Sequence, residues 1–234
     1  MRRRSIRATS QPRWLLIAAA GSAAAIAIVV AVLAAGGVLG GRSRTTAAGD
    51  LSPALANRLA GEARALGSAA APVTVLEFAD FQCPYCRAFW AVPLQQLKRE
   101  FVDSGLARLA FRHAIVVGPE SVLAAEAAEC AADQGRFFEY HDVLFDAQGP
   151  ENAGYLTPAR LSGFAGRIGL DIQTFEKCLS ERRHRDRVNR ASDEGGDAGI
   201  NSTPSLFVNG RRIANPFDYA ALRAAVLAAS GRGG

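Results

Sequence analysis

Cysteine is scarce in this chain, four in 234 residues, and histidine scarcer still at three. One pair of cysteines is closely spaced, Cys83 and Cys86. Cys130 and Cys178 stand alone, and His113, His141 and His184 are scattered. A structural zinc site wants two such pairs, or a pair followed by spaced histidines, so this inventory argues against a metal. The body of the chain also lacks an excess of either charge. Removing the five arginines Arg2, Arg3, Arg4, Arg7 and Arg13 from the 27 basic residues leaves 22, equal to the 22 acidic ones. The net charge of +5 therefore belongs to an N-terminal arm, and a neutral body offers no surface for nucleic acid. The basic run "ERRHRDRVNR" (Glu181–Arg190) reads as a solvated helix face. No internal repeat occurs, which excludes solenoids and arrays. With 49% apolar residues the composition is that of a globular protein, not a disordered one.

Long apolar runs are absent apart from one. Trp14 to Leu39 is almost unbroken, and its 26 residues make a helix of about 39 Å, enough to span a hydrocarbon core of about 30 Å with some tilt. The basic arm before it stays cytoplasmic, so the rest of the chain faces outward at the cell membrane. The apolar stretch of a cleaved signal peptide is about 7–15 residues, and this longer run favours an uncleaved single-pass signal anchor, although "TTAAGD" is a stretch a peptidase could cut.

The organisation that follows is an arm over 1–13, an anchor over 14–39, a linker over 40–67 and a folded domain over 68–232. Within the linker, Ser52 before Pro53 signals a helix start, and Leu55, Leu59 and Leu66 line one face of a short helix. "APVTVLEFAD" opens the domain as a strand buried on both faces. A helix then runs from the cysteines towards Glu100, kinked at Pro93, and "LARLAFRHA" (Leu106–Ala114) completes a β-α-β unit. The middle, about 117–198, is helical: "PESVLAAEAAECAADQG" stops at Gly135, Thr157 before Pro158 starts another helix, and Asp171 starts a third. "STPSLFVNGRRI" reads as a hairpin turning at Asn209-Gly210, and "PFDYAALRAAVLAAS" closes the chain as a helix. The fold class is α/β.

Cys83 and Cys86 have three possible uses. Metal binding lacks partners, and a bridge closing so short a loop removes little chain entropy. Reversible redox use remains. Cys83 falls at a helix start with Pro84 in the first turn, so free N–H groups and the helix dipole face its sulfur and favour a thiolate. Cys86, one turn in, is more buried and less acidic.

"FADFQCPYC", a helical insertion and "STPSLFVNG" together resemble the DsbA-like, thioredoxin-fold disulfide oxidoreductases of bacterial envelopes, from about Gly67 to Ser230. The resemblance implies a thioredoxin fold with an inserted helical domain, here preceded by one transmembrane helix. It implies that Pro204 is cis and that its loop packs beside the active-site pair. Thr203 then offers backbone groups to an extended substrate, with Pro84 and Tyr85 beside it. It implies for Glu77 the role of a buried acid relaying the proton of Cys86, the alternative being a strand-edge glutamate that reaches solvent. Asp80 is a loop residue shaping the helix entrance. It implies as well a structural disulfide between Cys130 and Cys178, in keeping with an even cysteine count outside the membrane; closing about 49 residues contributes about 4 kcal/mol in the chain-entropy model. No cofactor is required. The implied partners are reduced exported proteins and a quinone-linked membrane reoxidase of the DsbB or vitamin K epoxide reductase type.

Tyr85 stands where the strongest oxidases of that family have histidine, and a Pro-Tyr dipeptide also occurs in isomerases and reductases. Oxidase is the first reading and reductase or isomerase the second. A non-catalytic envelope module that binds metal or a partner through the pair is the rival from another class.

Overall fold

The computed structural model of the protein describes residues 49–231. The basic arm, the apolar run expected to span a membrane and the first part of the expected linker lie outside the described residues. Among the described residues no helix is long and apolar enough to cross a membrane.

The end of the expected linker is folded onto the domain. Ser52 caps α1 (Pro53–Gly61), its hydroxyl accepting a hydrogen bond from the Leu55 N–H at 3.3 Å, with Pro53 in the first turn. Leu59 is buried and Leu55 half-buried against the sheet. Leu66 does not share their helix face: the helix stops at Gly61, and Leu66 lies in β1 (Arg64–Leu66), which pairs antiparallel with β3. Three residues without alternation carry no strand signature of their own; pairing to the sheet edge makes them a strand.

β2 (Val73–Ala79) leads through the Cys83 loop into α2 (Pro84–Phe89). The helix continues as a π-helical segment (Trp90–Leu94), a short α3 (Gln95–Leu97) and a second π-helical segment (Lys98–Val102). Pro93 sits in the first wide turn, so the kink takes the form of a π-bulge that makes room for its ring, and Gln95 Nε2 donates to the Trp90 carbonyl at 3.0 Å. β3 (Ala107–His113) follows. The helical insertion is α4 (Pro119–Ala132), α5 (Phe137–Asp146), α6 (Pro158–Arg167), α7 (Ile172–Ser180) and α8 (Arg185–Asp197). Thr157 and Asp171 cap α6 and α7 by accepting from Arg160 N–H at 3.3 Å and Thr174 N–H at 2.7 Å. β4 (Ser205–Val208) and β5 (Arg211–Arg212) form the hairpin, whose turn needs positive φ at both Asn209 (46°) and Gly210 (85°), and α9 (Tyr219–Ala229) ends the domain.

The sheet order is β1-β3-β2-β4-β5, parallel only between β2 and β3. One face packs Val75, Leu109 and Leu206 against Phe89, Leu97 and Leu222. The other packs Leu76, Phe78 and Phe207 against Leu59 and Ile200. A third core, between the sheet and the insertion, gathers Phe81, Phe111, Tyr140, Phe145 and Phe175 and includes Cys83 and Cys86. The active pair therefore sits where the thioredoxin sheet meets the helical insertion.

The run Glu181–Arg190 is not only a solvated face. Arg182 forms a bidentate pair with Glu126 and Arg187 reaches Glu129 at 2.8 Å, both carboxylates being buried on α4. Buried carboxylates need such partners, so these partly exposed arginines cover buried charges as well as facing solvent.

Candidate active site

The loop before Cys83 is fixed from several directions. Asp80, itself buried, accepts from the Gln82 N–H at 2.8 Å through one oxygen and from the Val116 and Val117 N–H groups at 2.9 Å through the other. Its backbone carbonyl accepts from the Cys83 N–H at 3.1 Å. Gln82 donates to Ser121 Oγ at 2.8 Å and accepts from the Asn152 N–H at 2.7 Å. Gln148, just beyond α5, donates to the carbonyls of Phe81 (2.8 Å) and Cys83 (3.1 Å), and Arg87 on α2 donates to the Phe145 carbonyl at 3.0 Å. The insertion thus grips the same short segment that presents the sulfur. Neither Gln82 nor Gln148 has a sequence signature, since amide side chains acquire partners only once the insertion folds back.

Cys83 occupies the cap position of α2 in an extended conformation (φ −69°, ψ 119°), and Pro84 follows in the first turn. Both sulfurs are free thiols. A hydrogen bond from the Cys86 thiol lowers the pKa of Cys83 most, burial opposes it, and contacts from Thr203 and the Tyr85 and Cys86 backbone assist; together they bring it from 9.0 down to about 6. Cys86 is wholly buried, and that burial, with the neighbouring Cys83, pushes its thiol well up. The two sulfurs are therefore unlike.

The Thr203–Pro204 peptide is cis, and the Thr203 carbonyl lies 3.4 Å from Cys83 Sγ. Residues 120 apart in sequence thus meet, carried by the approach to β4 and the start of α2. Tyr85 and Phe217 are both exposed beside this point, their ring centroids 6.4 Å apart. Sequence reading singles out Tyr85 and misses Phe217, a lone aromatic in a loop.

Glu77 does not reach solvent. It is wholly buried on the sheet face covered by α2, and neither carboxyl oxygen has a hydrogen-bond partner. Burial first, and then the charge of Asp142, raise its pKa to about 8. Cys130 and Cys178 are bonded to each other, linking α4 to α7.

A thioredoxin family model matches residues 60–228. The chain is 41% identical over 165 residues to a Na(+)/H(+) antiporter NhaA 3 of Salinispora tropica; the match covers 70% of this chain and 24% of the antiporter, so the chain spans about a quarter of that protein's length. It is 31% identical over 157 residues to disulfide bond formation protein D of Bacillus subtilis, covering 66% of this chain and 71% of that protein. Its structure is similar to that of oxidised BdbD from Bacillus subtilis, with a TM-score of 0.69 and 28% identity, over 73% of this chain and 94% of the other. The chain belongs to the DsbA-like, thioredoxin-fold family of thiol:disulfide oxidoreductases.

Proposed function

We propose that the protein is a membrane-tethered, extracytoplasmic oxidase that introduces disulfides into exported proteins through Cys83 and Cys86. The observation that carries the reading is the unequal acidity of two sulfurs one helical turn apart, Cys83 near 6 and Cys86 pushed well up. In the oxidised protein a substrate thiolate attacks Cys83 Sγ, and Cys86 leaves and takes up a proton. A second substrate thiolate then attacks the substrate sulfur of the mixed disulfide and expels Cys83 as a thiolate. A low Cys83 pKa makes that departure fast and stabilises the reduced protein, so the couple is oxidising.

Glu77 is the buried acid that exchanges a proton with Cys86. The Thr203 backbone, with Tyr85 and Pro84, forms the contact surface for an extended substrate segment, and Pro204 shapes it. Electrons leave through a quinone-linked membrane reoxidase. The apolar run 14–39 holds the domain at the outer side of the membrane where exported thiols emerge. The name of the Bacillus subtilis relative, a disulfide bond formation protein, favours the oxidative direction.

Equilibration of the pair in glutathione buffers tests the direction. A potential near the DsbA value of about −120 mV is expected, whereas one near the thioredoxin value of about −270 mV makes the protein a reductase. The Cys83→Ser variant should lose all disulfide transfer. Retained transfer, or stoichiometric copper or zinc copurifying with an inactive wild type, overturns the enzymatic reading.

A further inference from the structure

Two buried groups on one side of the sheet have complementary needs. Glu77 on β2 is protonated at neutral pH, because burial and then Asp142 place its pKa at about 8, and it has no hydrogen-bond acceptor. His141 on α5 is also wholly buried; its Nδ1 lies 2.9 Å from Asp142 Oδ1, and its Nε2 has no partner. Asp142 is ionised: burial pushes it up, but the hydrogen bond from His141, the charges of His141 and Lys98 and the Trp90 indole hold it down at about 2. An ionised carboxylate only accepts, so Nδ1 carries the ring proton and Nε2 is a bare acceptor. Glu77 is thus a donor without an acceptor, and His141 an acceptor without a donor.

Phe111 links them. It lies directly opposite Glu77 in the β2–β3 register, and its ring centroid is 5.1 Å from that of His141. Beyond His141 the polar chain runs outward: Asp142 accepts from Trp90 Nε1 at 2.9 Å and from Lys98 Nζ at 3.2 Å. Lys98 and Asp142 line a surface cleft of about 710 Å³ together with Phe138 and Glu139. The charged and titratable groups acting on His141 are Asp142 on its own helix, Lys98 from the second π-helical segment and His113 from β3, the last bound to Glu129 of α4 at 3.0 Å; Glu77 of β2 lies opposite Phe111 and within range of the Asp142 charge. The remaining neighbours are the rings of Phe81, Phe111, Phe137, Phe138 and Phe145.

We propose that His141 relays protons between Glu77 and solvent across bridging water, with Asp142 as the exit to the cleft beside Lys98. The inference rests on the reading of Cys83 and Cys86 as the redox pair with Glu77 as its acid. When the pair closes after Cys83 has formed a mixed disulfide, Cys86 sulfur attacks Cys83 Sγ. The Cys83–Cys86 bond forms, the bond to the partner sulfur breaks, and that sulfur leaves with the electron pair as a thiolate. Cys86 must shed its proton in this step. Glu77, already protonated, accepts that proton only after handing its own to His141 Nε2. Burial disfavours the imidazolium so formed and Asp142 offsets only part of that cost, so it is short-lived and releases its Nδ1 proton through that carboxylate to the cleft. The reverse flow protonates the Cys86 thiolate when a substrate opens the disulfide.

A histidine that merely fills an aromatic core is replaceable by phenylalanine without kinetic effect. The reduced full chain is mixed with 5,5′-dithiobis(2-nitrobenzoate) between pH 5 and 9 and chromophore release followed in a stopped-flow instrument. The fast phase reports attack by Cys83 and the slow phase closure by Cys86. In the wild type the slow phase should accelerate through a midpoint of about 8. His141→Phe should leave the fast phase alone, slow the second about 10- to 100-fold at pH 7 and displace its midpoint. An unchanged second phase in His141→Phe overturns the relay. If that variant does not fold, Asp142→Asn, altered at the exit, should slow the same phase, and an unchanged phase there overturns it equally. Glu77→Gln separates the two levels. A slowed closure in Glu77→Gln with a normal one in His141→Phe removes only the relay, whereas a normal closure in Glu77→Gln removes the role of Glu77 on which it rests.

Discussion

Cys86 donates its thiol hydrogen to the sulfur of Cys83, and that contact divides one pair into an acidic and a non-acidic partner. The division has a measurable proton stoichiometry. Below pH about 6 reduction takes up two protons with two electrons, a slope of about 59 mV per pH unit, and above it one proton, about 30 mV. The sign follows from linkage. Cys83 has its folded pKa lowered from 9.0 to about 6, so its contribution to the reduced state is complete above pH 9 and lost as pH falls through 6. The potential plotted against pH should bend near 6. A single steep slope persisting towards pH 9 would mean an ordinary thiol.

How much of this was legible in the sequence depends on whether the signal is local. Pro84 in the first turn, the caps at Ser52, Thr157 and Asp171, and the Asn209-Gly210 turn all follow from residue chemistry within four positions, and each is where that chemistry places it. Pro93 shows a disturbed helix but not its form, since a kink and a π-bulge relieve the same clash. β1 has no local signal at all, because Leu66 is a strand residue only through β3. Long-range polar partners were illegible for the same reason. Arg187 looks like surface until Glu129 is seen beneath it, and His141 looks like any helix residue until it is seen buried against Asp142 and a set of aromatic rings. The Thr203-Pro204 approach to Cys83 was readable only through family resemblance, spanning 120 residues.

Glu129 joins the edge strand to the helical insertion and should be costly to neutralise. It is buried and bound by Arg64 from β1, by Arg187 Nε at 2.8 Å and by His113 Nε2 at 3.0 Å. Burial alone would raise its pKa, but His113 and Arg64 hold it well below the usual carboxylate range. Glu129→Gln leaves the surrounding cations uncompensated and should cost about 3–5 kcal/mol in urea unfolding at pH 7. A depressed carboxylate contributes stability that is present above its ordinary pKa and lost in acid, so the variant should also show a flatter decline of stability between about pH 5 and 2.

The Cys130–Cys178 bridge should stabilise without taking part in redox exchange. It closes a sequence separation of 48 residues between α4 and α7. Replacing both cysteines by serine should lower unfolding free energy by about 4 kcal/mol in the chain-entropy model. The Cys83–Cys86 potential should remain that of the wild type, and a shifted potential would mean that the bridge reaches the active pair.

Asp80 organises the entrance of α2, and its removal should affect both stability and sulfur chemistry. Three backbone N–H groups, of Gln82, Val116 and Val117, end on its carboxylate within 2.9 Å. Asp80→Ala leaves them without a charged acceptor. The cost should be about 3 kcal/mol, less than the sum of three lost bonds because water reaches part of the gap. The same carboxylate braces the turn from which the Asp80 carbonyl holds the Cys83 N–H at 3.1 Å. A looser turn weakens the donors aimed at Cys83 Sγ, so its pKa should climb from about 6 back towards 9.0. Iodoacetamide alkylation of the reduced protein across pH reads that midpoint, and urea unfolding reads the stability. A destabilised variant whose alkylation midpoint stays near 6 would show that Asp80 supports the fold alone, with the acidity of Cys83 set entirely by Cys86 and the first turn of α2.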